Sequence, residues 1–435
     1  MSDRTKLTRR AFLNRAAAGA AAAGLGAFGA RPAHAREAAR RVPPSEKVRL
    51  AVIGTGGMGS RHIEALAVNP QCELVALCDV AKGRYMPVLE NVEKTTGRKL
   101  DGYQDFRHVL DRQDIDAILV ATPDHWHPLL TILGCQAGKD VYVEKPVCTT
   151  VEEGRAMVGA ARRYGRIVQV GTQQRSMPVF QKAIDIVQSG RIGTVTHASA
   201  WVGVNEWQVG DTPSDAIPRG FDWDMWLGPA PQVPWSPERM SWMGWHDYAR
   251  GGQLTNWGVH LMDIVQWGIR QDRPLSIQAL GGSYLGNAGQ DNYSTIEAII
   301  EYPGCTVTWE QRHSNTHANK GYGISFNGTG GRLFVDRGSF VLETAGEGGT
   351  EWVGEPEKSW AYPPHHDNFF DCIRTRQKPA ADIEQGFRTT TAVLLAGVAL
   401  KVGRKLHWDG EKERFINDSQ ADRHLTRAYR APWHL

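Results

Sequence analysis

Between residues 48 and 170, short apolar runs alternate with stretches whose apolar positions recur at helical spacing. Val48-Arg49-Leu50-Ala51-Val52-Ile53 reads as a strand, and Gly54-Thr55-Gly56-Gly57-Met58-Gly59 then opens a helical pattern through Leu66. Glu73–Cys78 is a second strand, ending at Asp79. Ala117–Ala121, Val141–Val143 and Ile167–Val170 follow, with helical segments between them, and Gly138 and Gly165 stand where helix C-caps belong. Strands alternating with helices predict a parallel, doubly wound sheet with right-handed crossovers.

Beyond residue 171 the period shortens to two. Val195–Val202, Leu275–Tyr284, Ser294–Tyr302, Thr306–Arg312, Gly323–Asn327, Arg332–Val335 and Ser339–Glu343 read as strands. Turns such as Tyr302-Pro303-Gly304 and Gly328-Thr329-Gly330-Gly331 separate them, which predicts a meander in an open, largely antiparallel sheet. Asp367–Arg376 and Glu384–Val402 carry helical patterns. The expected fold class is therefore α/β. The doubly wound domain, of Rossmann type, spans 48–170, and a second α/β domain spans 171–435.

Residues 1–35 follow neither period. Arg9 and Arg10 form a twin-arginine pair, an Ala/Gly-rich stretch runs from Ala16 to Ala30, and Ala33-His34-Ala35 offers small residues for a signal peptidase. The stretch is shorter and less apolar than a bilayer span. It predicts a twin-arginine export signal, contact with that export machinery, and a periplasmic destination. Residues 36–47 form a linker around Pro43-Pro44. No later segment is apolar enough to span a membrane.

The charge follows from this. The chain has a net charge of +3, but residues 1–35 hold six basic residues against Asp3. The remainder is therefore net −2, which leaves no basic face for nucleic acid. The apolar fraction of 41% with 22% charged residues suits a globular protein with a packed core. Cys72, Cys78, Cys135, Cys148, Cys305 and Cys372 are scattered, with no C-x-x-C and no metal-type spacing, so neither disulfides nor a bound metal is expected.

A G-x-G-x-x-G motif alone is weak evidence. Here it follows a strand, opens a helix, and has Asp79 twenty residues after Gly59. Gly54 permits the tight turn, Gly56 admits a pyrophosphate to the backbone, and Gly59 lets helix and strand pack closely. Thr55, Gly57 and Met58 complete the loop at a helix N-terminus whose free N–H groups suit phosphate. A carboxylate at Asp79 suits ribose hydroxyls and favours NAD, although Lys82 and Arg84 leave NADP open.

Ala121-Thr122-Pro123, Glu144-Lys145-Pro146 and Gly171-Thr172-Gln173-Gln174-Arg175 all end strands at the same sheet edge, where open α/β sheets bind ligands. With the loop, Ala121, Thr122, Pro123, His127, Glu144 and Lys145 are expected on the cofactor. His125, Gln173 and Arg175 are expected on the substrate. For His125 and His127, capping of the next helix is the alternative.

These elements, together with Gly251-Gly252-Gln253-Leu254-Thr255-Asn256-Trp257-Gly258-Val259-His260-Leu261-Met262-Asp263, resemble the glucose-fructose oxidoreductase / inositol dehydrogenase / MocA family over nearly all of the chain after residue 35. The resemblance implies NAD(P)-dependent chemistry on sugar or polyol hydroxyls. It also implies C-terminal helices that return to the first domain, and homo-oligomers formed through the open sheet. Some members resemble glycosidases that use tightly held NAD transiently.

Asn256, His260 and Asp263 are spaced i, i+4, i+7, on one helix face. A neutral imidazole suits the proton acceptor of hydride transfer from a carbinol, which makes His260 the candidate general acid/base. By the family match, Lys145 holds the substrate oxygen and stabilises alkoxide charge. Asn256 and Asp263 are expected on substrate, or in fixing His260. Many members of the family carry Asp where this chain has Asn256, which argues against a simple Asp–His relay.

Nine of the 15 Trp residues crowd positions 201–267. Most are expected in the core, the rest against sugar rings. Asn205–Trp245 has little periodicity and suits a long loop covering substrate. The tail Tyr429–Leu435, aromatic and basic, is a candidate for docking on a neighbouring subunit. Export adds one expectation: the cofactor is loaded in the cytoplasm, held tightly, and regenerated within each cycle. The function expected is that of an NAD(P)-dependent sugar, glycoside or polyol oxidoreductase. An NAD-dependent glycoside hydrolase is the main alternative, and a non-catalytic sugar-binding protein a lesser one.

Overall fold

The computed structural model describes residues 46–435, apart from 205–209, 285–288, 314–316, 318–319, 345–350 and 354–361. The export signal read in residues 1–35, most of the linker, and Trp207 lie outside the described residues.

Six strands make the first sheet: β1 (Val48–Ile53), β2 (Cys72–Cys78), β3 (Asp101–Tyr103), β4 (Ala117–Val120), β5 (Asp140–Val143) and β6 (Val168–Val170). Their order is β3-β2-β1-β4-β5-β6, all parallel. A sheet with helices on both faces buries both sides of its central strands, so Leu50–Val52 and Ala117–Val120 are apolar throughout and shielded from water. Strand β3 is the one member that carries no apolar run.

Strands β7 (Val195–Val204), β8 (Ser276–Gly282), β9 (Thr295–Tyr302), β10 (Cys305–His313), β11 (Tyr322–Gly328), β12 (Gly331–Val335), β13 (Phe340–Thr344), β14 (Glu351–Val353), β15 (Leu406–Asp409) and β16 (Arg414–Phe415) form the second sheet. Its order, β14-β13-β12-β11-β7-β10-β9-β8-β15-β16, is not a simple meander. β7 sits between β10 and β11 and runs parallel to β10; the other pairings are antiparallel. The meander expectation fails here because β7 enters long before β8 and takes the central place.

One face of this sheet packs on helices Gln253–Ile269 and Ile383–Val402. Its core, which includes Ile277, Ala298, Val307, Trp309 and Phe326, is continuous with one face of the Rossmann sheet. The other Rossmann face is closed by Phe369, Phe370 and Cys372 of the returning helix Tyr362–Thr375. All six cysteines are free, buried thiols. Among the described residues, no helix is long and apolar enough to cross a membrane.

The tail does not project. Arg427 and Tyr429 bind Glu153, Arg430 binds Asp224, and Trp433 packs edge-on against Trp126 at 4.9 Å. Glu153 and Trp126 provide a buried acid and an aromatic wall on which the segment from Arg427 to Trp433 packs within its own chain.

Candidate active site

The carboxyl ends of β1, β2, β4 and β5 open onto a cavity of about 750 Å3. At one end, helix Gly57–Ala67 begins without a side-chain cap, and Gly56, Gly57 and Met58 at its start line the cavity. Gly54 has φ +94°, and a side chain there would strike Ala121 O; one at Gly59 would strike Gly54 O. A side chain at Gly57 would meet nothing, so the phosphate cradle is open. Asp79 is fixed at the end of β2: Thr55 N and Oγ1 donate to its Oδ2 and Ala81 N to its Oδ1. Gly56, Met58, Arg61 and Arg84 complete this end. The loop, the uncapped helix start and the carboxylate fit a dinucleotide.

At the other end, Lys145, Asn256, His260, Gln173, Trp242, Trp257 and Arg337 meet. Lys145 follows β5, while Asn256 and His260 lie one turn apart on helix Gln253–Ile269. The Lys145 ammonium donates to Asn256 Oδ1 and, at 3.3 Å, to Asn256 O. Asn256 Nδ2 donates in turn to Gln253 Oε1. The amide therefore orients the lysine, not His260. His260 Nδ1 and Gln173 Oε1 are buried with no hydrogen-bond partner among the described residues.

Burial, with the charges of Lys145 and Arg337 nearby, holds His260 well below the ordinary histidine range, so its imidazole is neutral. Burial also lowers Lys145 from the usual lysine range, against the opposing pull of Glu144 and Asp124. For Glu144, burial works upward, but the His62 hydrogen bond at 2.9 Å and the nearby cations prevail and hold it low. Gly171 leaves Glu144 room, since a side chain there would lie 2.5 Å from Oε1. His127 lines the wall, with its ring nitrogens 2.7 and 2.9 Å from the carbonyl oxygens of Pro146 and Thr122.

Three expected substrate contacts lie elsewhere. Asp263 is fully buried and holds Arg175 in a bidentate ion pair at 2.7–3.0 Å, with Thr389 alongside. Three residues beyond His260, Asp263 has turned from the cavity towards the helix's packed side, where Arg175 neutralises it. His125 is also enclosed: its Nε2 contacts Trp226 O, and Trp226 and Tyr248 pack on its ring. Burial pushes it down to about 3.

Arg337 and Asp124 join the site without having been read from the sequence, while Trp242 comes from the segment expected to cover substrate. Arg337 sits in the β12–β13 turn, 77 residues beyond His260, where only a turn signal marks it. Trp242 reaches in from the covering segment and donates to Asp124 Oδ1 at 2.9 Å. That segment also pairs with the end of β2: Lys82 N donates to Gly220 O and Asp222 N to Val80 O. Among the tryptophans, Trp223, Trp226, Trp235 and Trp245 form a satellite core, while Trp226, Trp242 and Trp257 line the cavity.

Residues 48–172 match the family model described as the oxidoreductase family's NAD-binding Rossmann fold, and 181–435 match the model of its C-terminal alpha/beta domain. The chain belongs to the glucose-fructose oxidoreductase / inositol dehydrogenase / MocA family. Within it, scyllo-inositol 2-dehydrogenase (NAD(+)) of Bacillus subtilis is 33% identical over 259 residues, 59% of this chain and 63% of that protein. An alpha-N-acetylgalactosaminidase of Shewanella oneidensis is 28% identical over 172 residues, 38% of each chain. Each alignment spans less than two thirds of the relative's length. Among solved structures, aldose-aldose oxidoreductase of Caulobacter crescentus aligns with TM-score 0.66 at 20% identity, covering 83% of this chain and 99% of that one. A levoglucosan dehydrogenase in complex with NADH and L-sorbose aligns with TM-score 0.67 at 16% identity, covering 83% and 99%. These structures share the fold of this member of the family.

Proposed function

We propose that this protein oxidises a hydroxyl of a sugar, glycoside or polyol with NAD, and that Lys145 and His260 carry the chemistry. The reading rests on one observation: both side chains line the far end of the cavity that begins at Gly54–Gly59 and Asp79. When bound, the nicotinamide supplies the two-electron acceptor for a carbinol C–H. Lys145, aimed by Asn256, holds the substrate oxygen and stabilises the charge that develops on it. The neutral imidazole of His260 takes the hydroxyl proton as the carbinol becomes a carbonyl, and returns it in the reverse direction. Trp242 and Trp257 offer flat faces to a sugar ring. Asp79 favours NAD over NADP.

The twin-arginine pair supports export to the periplasm, where no nicotinamide supply is expected. Retention of the cofactor through each cycle follows from that, and the backbone bonds from Gly220 and Asp222 across the end of β2 support it. Exposed Leu280 and Ile299 on the outer face of the second sheet support a homo-oligomer. A second reading, oxidation followed by elimination and re-reduction in a glycosidase, is favoured by the similarity to the galactosaminidase.

The test is the cofactor content of protein from the exported fraction, by absorbance and mass spectrometry after denaturation, followed by incubation with polyols and aryl glycosides. Near-stoichiometric NAD(H) and a reduced-nicotinamide band on adding polyol support the oxidoreductase. Aglycone release without net reduction supports the glycosidase. Protein that binds neither nucleotide overturns both.

A further inference from the structure

A second cavity, of about 170 Å3, shares no lining residue with the first. It is bounded by the chain segments that lead from and to the proposed catalytic groups. Thr149 and Thr150, shortly after Lys145, line it. So do Gly251 and Leu254, at the entry to the helix that bears Asn256 and His260. That entry turns through Gly251 and Gly252, whose φ angles are +129° and +54°. Asn292, also in the lining, pins it: its Oδ1 accepts from Gly251 N, and its Nδ2 donates to the carbonyls of Met243 and Ala249.

The floor is apolar, with Leu254, Ile296, Leu395, Val398 and Leu425 buried there. A dry apolar cavity of roughly 150 Å3 takes up a benzene ring. This one therefore has room for a ring or a short aliphatic chain. Helix Ile383–Val402 keeps the space open by carrying Gly397 in its interior, where glycine weakens a helix. A side chain there would meet only Leu254 Cδ2, 3.8 Å away.

The polar end is cationic. Arg250 Nη1 donates to His424 O at 3.1 Å, which occupies one of the five N–H groups of the guanidinium. Its Nε and Nη2 donate to none of the described residues, and none of their carboxylates pairs with it. The nearby acid Glu153 is already held by Arg427 and Tyr429. Lys401 adds a second cation at the exposed rim; Asp291, the one acid in the lining, accepts from His246 N. Burial pushes His246 down to about 3, so its imidazole is neutral. Burial and the Arg427 charge lower Arg250 from its ordinary range, against the pull of Glu153 and Asp247. An incoming anion relieves that cost, and a guanidinium edge suits a carboxylate through two parallel hydrogen bonds.

We propose that this cavity binds a small apolar monocarboxylate, aromatic or short-chain, with its carboxylate on Arg250 and its body against Leu254 and Val398. The site is separate from the one proposed for NAD and the carbohydrate.

The experiment is calorimetric titration of the full chain, with NAD added, using benzoate against benzamide and hexanoate against hexanamide. At least one acid binds about tenfold tighter, or more, than its amide. Arg250→Gln brings that acid down to the affinity of the amide. Gly397→Leu fills the cavity and abolishes binding of both. Should Arg250→Gln not fold, Gly397→Leu and hydrogen exchange decide: the acid protects the amides of residues 250–254 and leaves those of 54–59 unchanged. Acid and amide binding equally, or no acid binding up to roughly 10 mM, overturns the inference. So does an acid preference that survives Arg250→Gln, binding that survives Gly397→Leu, or protection at residues 54–59. NAD binding is read on the same samples. Protein that binds the acid but no NAD upholds this site and overturns the proposed function.

Discussion

Lys145 donates to the side-chain and main-chain oxygens of Asn256, so the amide that stands one helical turn before His260 positions the lysine and leaves the histidine alone. A neutral partner fixes the ammonium without cancelling its charge. Asn256→Ala is expected to lower kcat/KM by about 10- to 100-fold through a misplaced lysine, with NAD affinity unchanged. Asn256→Asp sets a carboxylate against the ammonium and moves the alkaline limb of the pH–rate profile upward by about one unit. A profile that does not move contradicts the contact.

The two proposed catalytic groups shape that profile. His260 sits well below the histidine range, so the base form persists as the pH falls through 6.5 and oxidation keeps its rate into mildly acidic solution. Lys145 is lowered from the usual lysine range, so the alkaline loss begins below pH 10.5. Steady-state rates across pH check both limbs.

Stability responds to acid with a definite sign. His125 and His246 are pushed down to about 3 by burial, His365 to about 4, and His260 and His366 also lie low. Below pH 6.5 the unfolded chain takes up protons that the folded chain refuses. Stability present above 6.5 is therefore lost as the pH falls, by up to about 1.4 kcal/mol per pH unit for each such histidine. Melting temperature should drop by several degrees between pH 7 and pH 5; a flat profile contradicts the buried neutral histidines.

Arg175 and Asp263 separate structural from binding roles. Removing one partner leaves an uncompensated buried charge, so Asp263→Ala should destabilise by about 3–5 kcal/mol. In protein that remains folded, the affinities for NAD and substrate should be kept. Loss of substrate affinity at full stability would return Asp263 to the site.

Gly56→Val tests the cradle. A Cβ there meets only the flexible end of Arg84, 3.2 Å away, so the fold survives while the added side chain fills the phosphate approach. NAD affinity should fall at least about 100-fold with an unchanged melting temperature of the cofactor-free protein.

The sequence made five of the six strands of the first sheet readable because each is an apolar run ending in a chemically marked loop; β3, Asp-Gly-Tyr at the sheet edge, has no such run and left no signal. Gly54–Gly59, Asp79, Thr122, Lys145 and Gln173 converge for that reason alone. Helical spacing put Asn256, His260 and Asp263 on one face, but Asp263 lies two turns, about 10 Å, further along the helix than Asn256, beyond the cavity lining. Its partner Arg175 is 88 residues away, a distance no local pattern spans. Arg337 was hidden for the same reason: it stands in an ordinary turn between β12 and β13, and nothing local marks that turn as one that lines the cavity. His125 was misplaced because adjacent residues after a strand point in different directions, and its neighbours Asp124 and Trp126 face the cavity instead.

The most direct test of the account is a single-turnover experiment: NAD+-loaded protein is mixed with a hydroxyl substrate and the reduced-nicotinamide band is followed. Wild-type protein should show a burst of at most one equivalent. Lys145→Ala and His260→Ala, with NAD still bound, should be slower by about 100- to 10,000-fold. A burst of unchanged rate in either variant would contradict the assignment of the chemistry to these two residues.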